Sequence, residues 1–319
     1  MTRATTPMGV ILAAGKGTRM APFSEHYPKP ILPVGMKPLI AHQLETMAGL
    51  GVRDIVIVIG HLGHEVVRTL GDGSKWGVQL RYVEQEETLG IAHAVSRLER
   101  HVDRPFFLFL GDIFFETENL ASMLDRLRSD RETHGVLAVK REKDLAAIKR
   151  NFIVMTESDG KVTRVIEKPR HPRTDLKGCG IYLFDPAFFD AVRRTPRTAM
   201  RDEYEITDAI QIFLDDGYRV EAAEVIKNDL NLSYPRDLLD LNLHLLDRTT
   251  LSNWIGQDVK VHPGATLERC VLMDGSAIAT PIRMKGCLVF PGVKVTRQRD
   301  LVHTILTPET EIRCDELAS

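Results

Sequence analysis

The segment at residues 9–20 has the residue types needed to bind the phosphates of a nucleotide. Its apolar first half is typical of a buried strand, and it leads directly into the turn Gly-Lys-Gly-Thr-Arg at residues 15–19. Glycines let backbone N–H groups converge on an anion, and Lys16 and Arg19 add positive charge. Lys29 follows between two prolines, which restrict its backbone. The pattern predicts a triphosphate site; the alternative is a tight strand-to-helix turn carrying two solvated cations.

Two common phosphate-binding motifs do not fit this turn. A Walker A loop requires Gly-Lys followed by Ser or Thr, whereas Gly15-Lys16 is followed by another glycine. The dinucleotide fingerprint Gly-x-Gly-x-x-Gly has Met20 in place of its third glycine. Any phosphate binding at this turn therefore uses a loop of a different class.

Three further polar groups stand where they could contact a substrate. Asp112 follows an apolar run and could hold a divalent cation, or it could simply cap a turn. In Glu167-Lys168-Pro the lysine could bind a phosphate and the glutamate a sugar hydroxyl, or the pair could end an exposed strand. The Gln85 amide could bond to a base edge that Gly90 allows to approach, or the segment could be a polar loop.

Other kinds of chemistry have little support in the sequence. His93 lies in a helical pattern, where we expect it to be a packed residue, and no Ser/His/Asp or Cys/His arrangement stands out. The four cysteines are widely spaced without a Cys-x-x-Cys motif, which argues against a zinc site or a disulfide framework.

Composition narrows the class of protein. A hydrophobic content of 43% is enough for a sizeable core, and a net charge of −2 gives no overall attraction to nucleic acid or an anionic membrane. Residues 1–8 are polar rather than a signal peptide, and no apolar run reaches membrane-spanning length. The cysteine spacing favours reduced thiols, which are typical of cytoplasmic proteins. We therefore expect a cytoplasmic protein that binds neither nucleic acid nor membrane.

Strand and helix patterns alternate over the first two thirds of the chain. The strands are apolar on both faces, which predicts an α/β fold with a Rossmann-like, mostly parallel sheet and helices on both faces. In such sheets ligands bind at the carboxyl ends of the strands. The predicted strands are residues 10–13, 54–59, 79–83, 106–110, 136–139, 153–155, 162–166 and 180–184. The predicted helices are residues 39–50, 64–70, 91–98, 209–214 and 238–247.

The last part of the chain has a different pattern. Small or apolar residues recur every sixth position, separated by Gly/Pro turns, at Ile255, Val261, Leu267, Met273 and Ala279. This period predicts a short left-handed parallel β-helix of about two coils; the alternative is an irregular β-hairpin domain. We therefore expect two domains, residues 1–247 and 248–319, with the small one docked on the first domain or on another subunit.

Taken in order, these motifs resemble those of the sugar-1-phosphate nucleotidyltransferases, also called NDP-sugar pyrophosphorylases. The segment at residues 85–94 and the hexad tail most resemble the long form of glucose-1-phosphate thymidylyltransferase. The matching pieces are Leu-Ala-Ala-Gly-Lys-Gly-Thr-Arg (12–19), Pro-Lys-Pro (28–30), Leu-Gly-Ile-Ala-His-Ala (89–94), Leu-Gly-Asp (110–112), Glu-Lys-Pro (167–169) and Glu-Tyr-Glu-Ile-Thr-Asp (203–208).

The resemblance implies a role for each candidate residue. Arg19 would act on the leaving pyrophosphate, Lys29 on charge near the α-phosphate, Asp112 on Mg²⁺ and Lys168 on the sugar phosphate. The nucleotide-binding residues would be Ala13, Ala14, Gly15, Gly17, Thr18, Gln85 and Gly90. The sugar-phosphate site would comprise Glu167, Lys168, Gly180 and Tyr182.

The sequence departs from the family pattern in two places. Ile153 stands where a glycine usually follows an aromatic residue, and it would crowd the sugar pocket. The second metal ligand is usually an aspartate four residues before a proline, preceded by a Trp-x pair. Counting back from Pro235 gives Asn231, and Asp229 is the rival because it retains a carboxylate.

The resemblance implies a Mg²⁺-dependent enzyme that joins a nucleoside triphosphate and a sugar 1-phosphate, releasing pyrophosphate by in-line attack on the α-phosphate. It favours dTTP and glucose 1-phosphate; UTP, CTP or GTP with another sugar phosphate are alternatives. The alternative of another class is a catalytically silent regulatory or sugar-nucleotide-binding subunit. The resemblance also implies a homo-oligomer that could form through the β-helix.

Overall fold

The computed structural model describes residues 6–130, 132–199 and 202–315, so residues 1–5 of the polar N-terminal segment lie outside it. By its internal contacts the chain forms two compact units. Unit 1 comprises Met1–Lys16 and Gln43–Asp229, and unit 2 comprises Gly17–His42 and Leu230–Ser319. The domain boundary between residues 247 and 248 stays a prediction.

The regular elements are numbered in chain order. The strands are β1 (Met8–Ala13), β2 (Pro33–Val34), β3 (Lys37–Pro38), β4 (Asp54–Ile59), β5 (Gln79–Glu84), β6 (Phe106–Leu110), β7 (Ile113–Thr117), β8 (Thr133–Arg141), β9 (Phe152–Thr156), β10 (Val162–Glu167), β11 (Leu176–Phe184), β12 (Arg219–Glu224), β13 (Ile226–Asn231), β14 (Trp254–Ile255), β15 (Lys260–Val261), β16 (Thr266–Glu268), β17 (Val271–Leu272), β18 (Ala277–Ile278), β19 (Arg283–Lys285), β20 (Leu288–Val289), β21 (Lys294–Val295), β22 (Leu301–Val302), β23 (Thr304–Leu306) and β24 (Glu311–Arg313). The α-helices are α1 (Leu39–Gly49), α2 (Gly63–Leu70), α3 (Ile91–Ser96), α4 (Ala121–Ser129), α5 (Leu145–Arg150), α6 (Phe188–Arg194), α7 (Ile206–Asp215) and α8 (Pro235–Asp247).

A nine-stranded sheet forms the centre of unit 1. Seven strands follow the order β10-β9-β11-β6-β1-β4-β5, and β8 and β12 continue from β11. The four strands β6, β1, β4 and β5 are mutually parallel. Beyond β6 the sheet is mixed, because β11 runs antiparallel to β6, β8 and β9. The parallel half is the one predicted from the doubly apolar strands; the mixed half carries the later motifs.

Both faces of this sheet are covered, as predicted for a Rossmann-like fold. Alternate residues of a strand point to opposite faces, and on one face Val10 belongs to a core with residues of α3, α6 and α7. On the other face Gly9 lies beside Met47 of α1, whose sulfur is only 2.6 Å from the position of a Cβ on Gly9. Aromatic stacking consolidates the first core, with Phe184 and Phe188 at a ring-centroid distance of 3.8 Å.

The tail in unit 2 is a parallel β-helix consistent with the left-handed type, as expected. Its strands stack into three sheets, β14-β17-β20-β23, β15-β18-β21 and β16-β19-β22. Cα partners lie 17 residues apart, as between Trp254 and Val271 and between Val271 and Leu288. One sheet stacks four strands deep, so the helix has about three coils, more than the expected two.

The 17-residue coil also corrects the predicted register. A repeat of 18 residues would be three equal hexads, whereas in this β-helix one side of each coil is a residue shorter. Positions 255, 261 and 267 are strand residues as predicted, but the following ones are Leu272 and Ile278. Ile278 is buried, whereas Ala279, the predicted position, is exposed.

The described helices include none that is long and apolar enough to cross a membrane.

Candidate active site

The carboxyl ends of the parallel strands in unit 1 meet at one edge, where several predicted site residues lie. The amide of Gly111 donates to the carbonyl of Leu12 at 2.9 Å, which joins the end of β6 to the end of β1. The amide of Gln85 donates to Ile59 at 2.8 Å, which joins the end of β5 to that of β4. This edge therefore brings together the start of the glycine-rich turn, the Gln85 loop and the turn that carries Asp112.

The Asp112 turn is tightly fixed from both sides. A Cβ on Gly111 would lie 2.6 Å from the Leu12 carbonyl oxygen, so the close approach of β1 requires a glycine there. Gln43 of α1 is buried, and its Nε2 donates to the carbonyls of Leu110 at 2.8 Å and Ile113 at 2.9 Å. Asp112 is half-buried between these anchored residues. The geometry makes this carboxylate a defined feature of the edge rather than part of a loose loop.

The predicted base-binding loop is locked onto a second segment. Gln85 Nε2 lies 3.0 Å from His93 Nδ1, and the His93 ring stacks on Tyr204 at a centroid distance of 6.0 Å. Tyr204 donates its amide to Leu89 and accepts from the Ala92 amide, at 2.7 and 3.0 Å. His93 is thus the packed helix residue that was expected, and it also orients the Gln85 amide.

Gly90 has a φ of +107°, and the backbone of Tyr204 packs so closely against it that only a glycine fits. A Cβ on Gly90 would lie 2.5 Å from the Tyr204 carbonyl oxygen. The glycine therefore permits a close approach of two backbone segments, a role that differs from the predicted approach of a base. Its contact with a nucleotide stays a prediction.

Lys168 adopts an unusual backbone conformation at the end of β10. Its φ is +41°, although it is not a glycine and precedes a proline. Left-handed non-glycine residues cost about 1–3 kcal/mol and concentrate at functional sites. The Lys168 amide donates to the Asn151 carbonyl at 2.9 Å, and the Thr207 hydroxyl donates to Glu167 at 3.5 Å. These contacts hold the predicted sugar-phosphate pair, while the Lys168 side chain is 43% exposed and its Nζ lies 3.8 Å from Glu167 Oε1.

Gly180 and Tyr182 differ in how well they suit a sugar pocket. Gly180 has a φ of +76°, and a Cβ there would lie 2.9 Å from Leu110, beside the Asp112 turn. Tyr182 is only 1% exposed, with its ring stacked between Phe152 and Phe184. Burial and the nearby Glu167 carboxylate raise the pKa of Tyr182. Tyr182 is a core residue in this structure, Ile153 is fully buried as well, and their roles toward a sugar stay predictions.

Asp229 belongs to a buried cluster of four charged side chains. Its carboxylate lies 2.7 Å from Lys177 Nζ and 3.0 Å from Lys140 Nζ, and Lys140 also pairs with Glu142 at 2.9 Å. The Lys177 and Asp229 side chains are only 4% and 7% exposed. Lys177 is buried and Lys140 is half-buried, and because they face each other across β8 and β11 they require such carboxylates. Asp229 is thus held by ion pairs, whereas Asn231, two residues later, is exposed.

Two members of the cluster, Glu142 and Lys140, stay ionised over a wide pH range. Burial acts to raise the pKa of Glu142, but hydrogen bonds from Lys140 and the Asp144 amide hold it down, at about 2. Burial likewise acts to lower the pKa of Lys140, but its bonds to Glu142 and Asp229 raise it above the usual lysine value. Both groups therefore remain charged at neutral pH.

The two cations expected on the triphosphate, Arg19 and Lys29, lie in unit 2 and are held there by different contacts. Lys29 is buried, and its aliphatic chain packs against Gly17, where a Cβ would lie 3.0 Å from its Cε. Gly17 has a φ of +62°, so both its conformation and its missing side chain are needed. The Arg19 guanidinium lies 5.7 Å from the centre of the Tyr234 ring, a cation–π distance.

Several residues of the site region were not singled out from the sequence. They include Gln43, Lys140, Glu142, Lys177 and Tyr234. A usable signal was present for Lys177, because it stands alone as a charged residue in the otherwise apolar or small strand β11. Tyr204 falls within the motif at residues 203–208, but the sequence did not indicate its contacts with the Gln85 loop.

The oxygen donors present fit magnesium better than a softer metal. Among the described residues no group of three or more His, Cys, Asp or Glu side chains could hold a metal ion. Mg²⁺ does not need such a group, because it keeps several waters and uses one or two protein ligands together with substrate phosphates. The carboxylate of Asp112 and the amide oxygen of Asn231 are hard donors of this kind.

Comparison with known proteins gives the family. The nucleotidyl transferase family profile matches residues 8–248. The chain is 35% identical over 241 residues to the UTP–glucose-1-phosphate uridylyltransferase AglF of Haloferax volcanii, covering 76% of this chain and 97% of that protein. It is 30% identical over 288 residues to a glucose-1-phosphate thymidylyltransferase of Streptomyces antibioticus, covering 90% and 79%.

A solved structure agrees with these relatives. The crystal structure of a candidate glucose-1-phosphate thymidylyltransferase from Bacillus anthracis is 26% identical and superposes with a TM-score of 0.67, covering 76% of this chain and 96% of that one. Motifs, fold and relatives agree, and the chain belongs to the nucleotidyl transferase family as a sugar-1-phosphate nucleotidyltransferase.

Proposed function

We propose that this enzyme joins dTTP and glucose 1-phosphate to give dTDP-glucose and pyrophosphate, with Mg²⁺ as cofactor. The observation that carries the proposal is the edge of unit 1, where the glycine-rich turn, the Gln85 loop and Asp112 meet. The two substrates are both anionic, so the main task of the protein is to hold them together against their repulsion. The candidate residues are therefore cations and a metal-binding carboxylate rather than a nucleophile.

Each residue has a defined task in this reaction. Backbone amides of the turn at residues 13–18 bind the triphosphate, and Arg19 and Lys29 neutralise charge on pyrophosphate and near the α-phosphate. Lys168 binds the phosphate of the sugar, and Glu167 accepts a hydrogen bond from a sugar hydroxyl. The sugar phosphate oxygen then attacks the α-phosphorus in line as the bond to pyrophosphate breaks.

Asp112 and Asn231 would hold Mg²⁺ on the phosphates. When bound, the metal neutralises phosphate charge and orients the α-phosphate for attack. The Asp229 carboxylate, already paired with Lys177 and Lys140, is better suited to a structural role.

The proposed base preference follows from the orientation of Gln85. When His93 accepts a hydrogen bond at Nδ1, Gln85 donates through Nε2 and its Oε1 remains as an acceptor. Thymine and uracil carry a donor at N3, whereas cytosine carries an acceptor there. This supports dTTP or UTP over CTP. The choice of dTTP over UTP rests on the resemblance of residues 85–94 and of the tail to the long-form thymidylyltransferases, and the alignment with the Streptomyces thymidylyltransferase accordingly covers 90% of this chain.

We also propose a cytoplasmic homo-oligomer. All four cysteines are buried free thiols, in keeping with a reducing compartment. At the first coil of the β-helix Ile255 is 44% exposed, and Leu251 and Val261 are exposed nearby, which would suit contact with a second copy.

A substrate panel tests the proposed function. We expect Mg²⁺-dependent pyrophosphate release with dTTP and glucose 1-phosphate, and weaker release with UTP. Release with CTP should be lower by about 10²-fold or more, because the buried acceptor Gln85 Oε1 would face the acceptor N3 of cytosine. The measurement is coupled pyrophosphate detection with four nucleoside triphosphates and several sugar 1-phosphates. Release with no pair would favour the alternative of a silent, sugar-nucleotide-binding subunit.

Charge removal at Asp112 and Lys168 should abolish most turnover. Loss of one preorganised charge contact costs about 2.7–4 kcal/mol of transition-state stabilisation, or about 10²–10³-fold in kcat. We expect this for Asp112→Asn and Lys168→Ala, measured as pyrophosphate release at saturating substrates. Lys149→Ala, a lysine near the carboxyl end of α5, serves as the control. Near-normal turnover of either site variant would contradict the assigned roles.

Substitutions at Asn231 and Asp229 test which of the two residues is the second metal ligand. Asn231→Leu should raise the Mg²⁺ concentration needed for half-maximal activity, and Asn231→Asp should restore it, with little change in thermal stability. Asp229→Asn should instead lower the free energy of unfolding, by up to about 3–5 kcal/mol, because it leaves Lys177 and Lys140 to share the single carboxylate of Glu142. The measurements are Mg²⁺ titration of activity and chemical denaturation. The opposite pattern would make Asp229 the ligand.

A further inference from the structure

The segment Gly17–His42, which carries Arg19 and Lys29, belongs by its contacts to the unit that contains the C-terminal β-helix. Along the chain it directly follows β1 of the sheet, so sequence order alone does not predict this association. The proposed reaction assigns no task to the β-helix. The contacts between this segment and the rest of unit 2 indicate one.

An aromatic cluster joins the segment to the third coil of the β-helix. Phe290 directly follows β20 and is almost fully buried. Phe23 stacks on it with ring centroids 5.8 Å apart and an interplanar angle of 16°, and Tyr27 meets it edge-on at 5.6 Å. The Phe23 ring is also buried, so this is a packed contact rather than a surface one.

A hydrogen bond continues this contact toward the turn before β24. The Tyr27 hydroxyl donates to Glu309 Oε2 at 2.9 Å. Glu309 is itself held, because its Oε2 accepts from the Thr307 hydroxyl at 3.0 Å and its amide donates to that hydroxyl at 3.2 Å. The carboxylate that receives Tyr27 is therefore fixed by the turn rather than free to follow it.

The path from this contact to Lys29 is short and stiff. Tyr27 lies two residues before Lys29, and the prolines at 28 and 30 restrict the backbone on both sides. The Leu32 amide donates to the Lys29 carbonyl at 3.0 Å, which closes a short 3₁₀ turn. The Lys29 stem packs on Gly17, two residues before Arg19. A shift of Tyr27 would therefore move the lysine and, through Gly17, the turn that carries the arginine.

The other end of the segment is anchored in unit 2 as well. Asn242 of α8 is fully buried; its Oδ1 accepts from the Gly35 amide at 2.9 Å and its Nδ2 donates to the Pro33 carbonyl at 3.0 Å. The Trp254 ring of β14 covers Gly35, 3.1 Å from the position of a Cβ there. These contacts fix the part of the segment that follows Lys29. The Tyr27 contact therefore sets the position of the part that carries Lys29 and Arg19.

We propose that the β-helix positions the triphosphate-binding cations, with Phe290 and Glu309 acting on Lys29 and Arg19 through Tyr27. This inference rests on the proposed function, which assigns both cations to the binding of the triphosphate. Phe290 and Glu309 touch no substrate; they are positioning residues. Their loss should weaken the binding of the nucleotide and leave the binding of the sugar phosphate, assigned to Glu167 and Lys168, unchanged.

The experiment measures dTTP–Mg²⁺ binding by calorimetry and both KM values by pyrophosphate release, using the full-length chain. We expect Phe290→Ala to weaken dTTP binding about tenfold, and Glu309→Ala and Tyr27→Phe to weaken it about three- to fivefold each, the range of one lost hydrogen bond. The double variant Glu309→Ala/Tyr27→Phe should be no weaker than either single one, because both remove the same contact. KM for glucose 1-phosphate should not change.

Glu268→Ala is the matched control, because Glu268 is an exposed β-helix carboxylate that pairs with Lys285 and Arg283 of the β-helix itself. Should Phe290→Ala fail to fold, the two hydrogen-bond variants still decide the matter. Wild-type binding in both would overturn the inference and leave the proposed function intact. A loss of active enzyme with both KM values unchanged would show a merely structural role and also overturn it. A wild-type chain that binds neither dTTP nor UTP would overturn both.

Discussion

The close approach of β1 and β6 at their carboxyl ends is the constraint on which the rest of the site depends. At that point the Gly111 amide donates to the Leu12 carbonyl, and no side chain larger than hydrogen fits at Gly111. The next residue after Leu12 begins the turn proposed to bind phosphate, and the next after Gly111 is Asp112. One backbone contact thus fixes the carboxylate proposed to bind Mg²⁺ beside the loop proposed to bind the triphosphate, and Gln43 braces the Asp112 turn from the other side.

Electrostatics explains why the supporting structure is so extensive. A site that joins two anions needs concentrated positive charge, and such charge repels itself unless carboxylates, rings or backbone groups hold it. Each cation proposed for the site has a specific support: Lys29 packs on Gly17, Arg19 lies over Tyr234, and Lys168 is held by a strained backbone. The half-buried Lys140 and the buried Lys177 are neutralised by Asp229 and Glu142. Rigid support of this kind reduces reorganisation when the substrates bind.

Local pattern was enough to predict the strands that carry the site. Buried strands such as 54–59 and 106–110 are continuous apolar runs, so their bounds match the structure residue for residue. The hexad period identified the β-helix but did not reveal the 17-residue coil. The side of the coil that is one residue shorter depends on how successive coils stack, which the local pattern does not show. Contacts distant in sequence left no local signal: Tyr204 against Gly90, Tyr27 against Glu309, and the ion pairs that occupy Asp229.

The central claim is a direct transfer between two bound anions, with no covalent intermediate on the enzyme. The stereochemical course at the α-phosphorus tests it most directly. The Sp isomer of dTTP carrying sulfur on its α-phosphate would be turned over with glucose 1-phosphate, and the configuration of the product read by ³¹P NMR. A single in-line displacement predicts inversion at phosphorus. Retention would require two displacements through an enzyme nucleophile and would contradict the account.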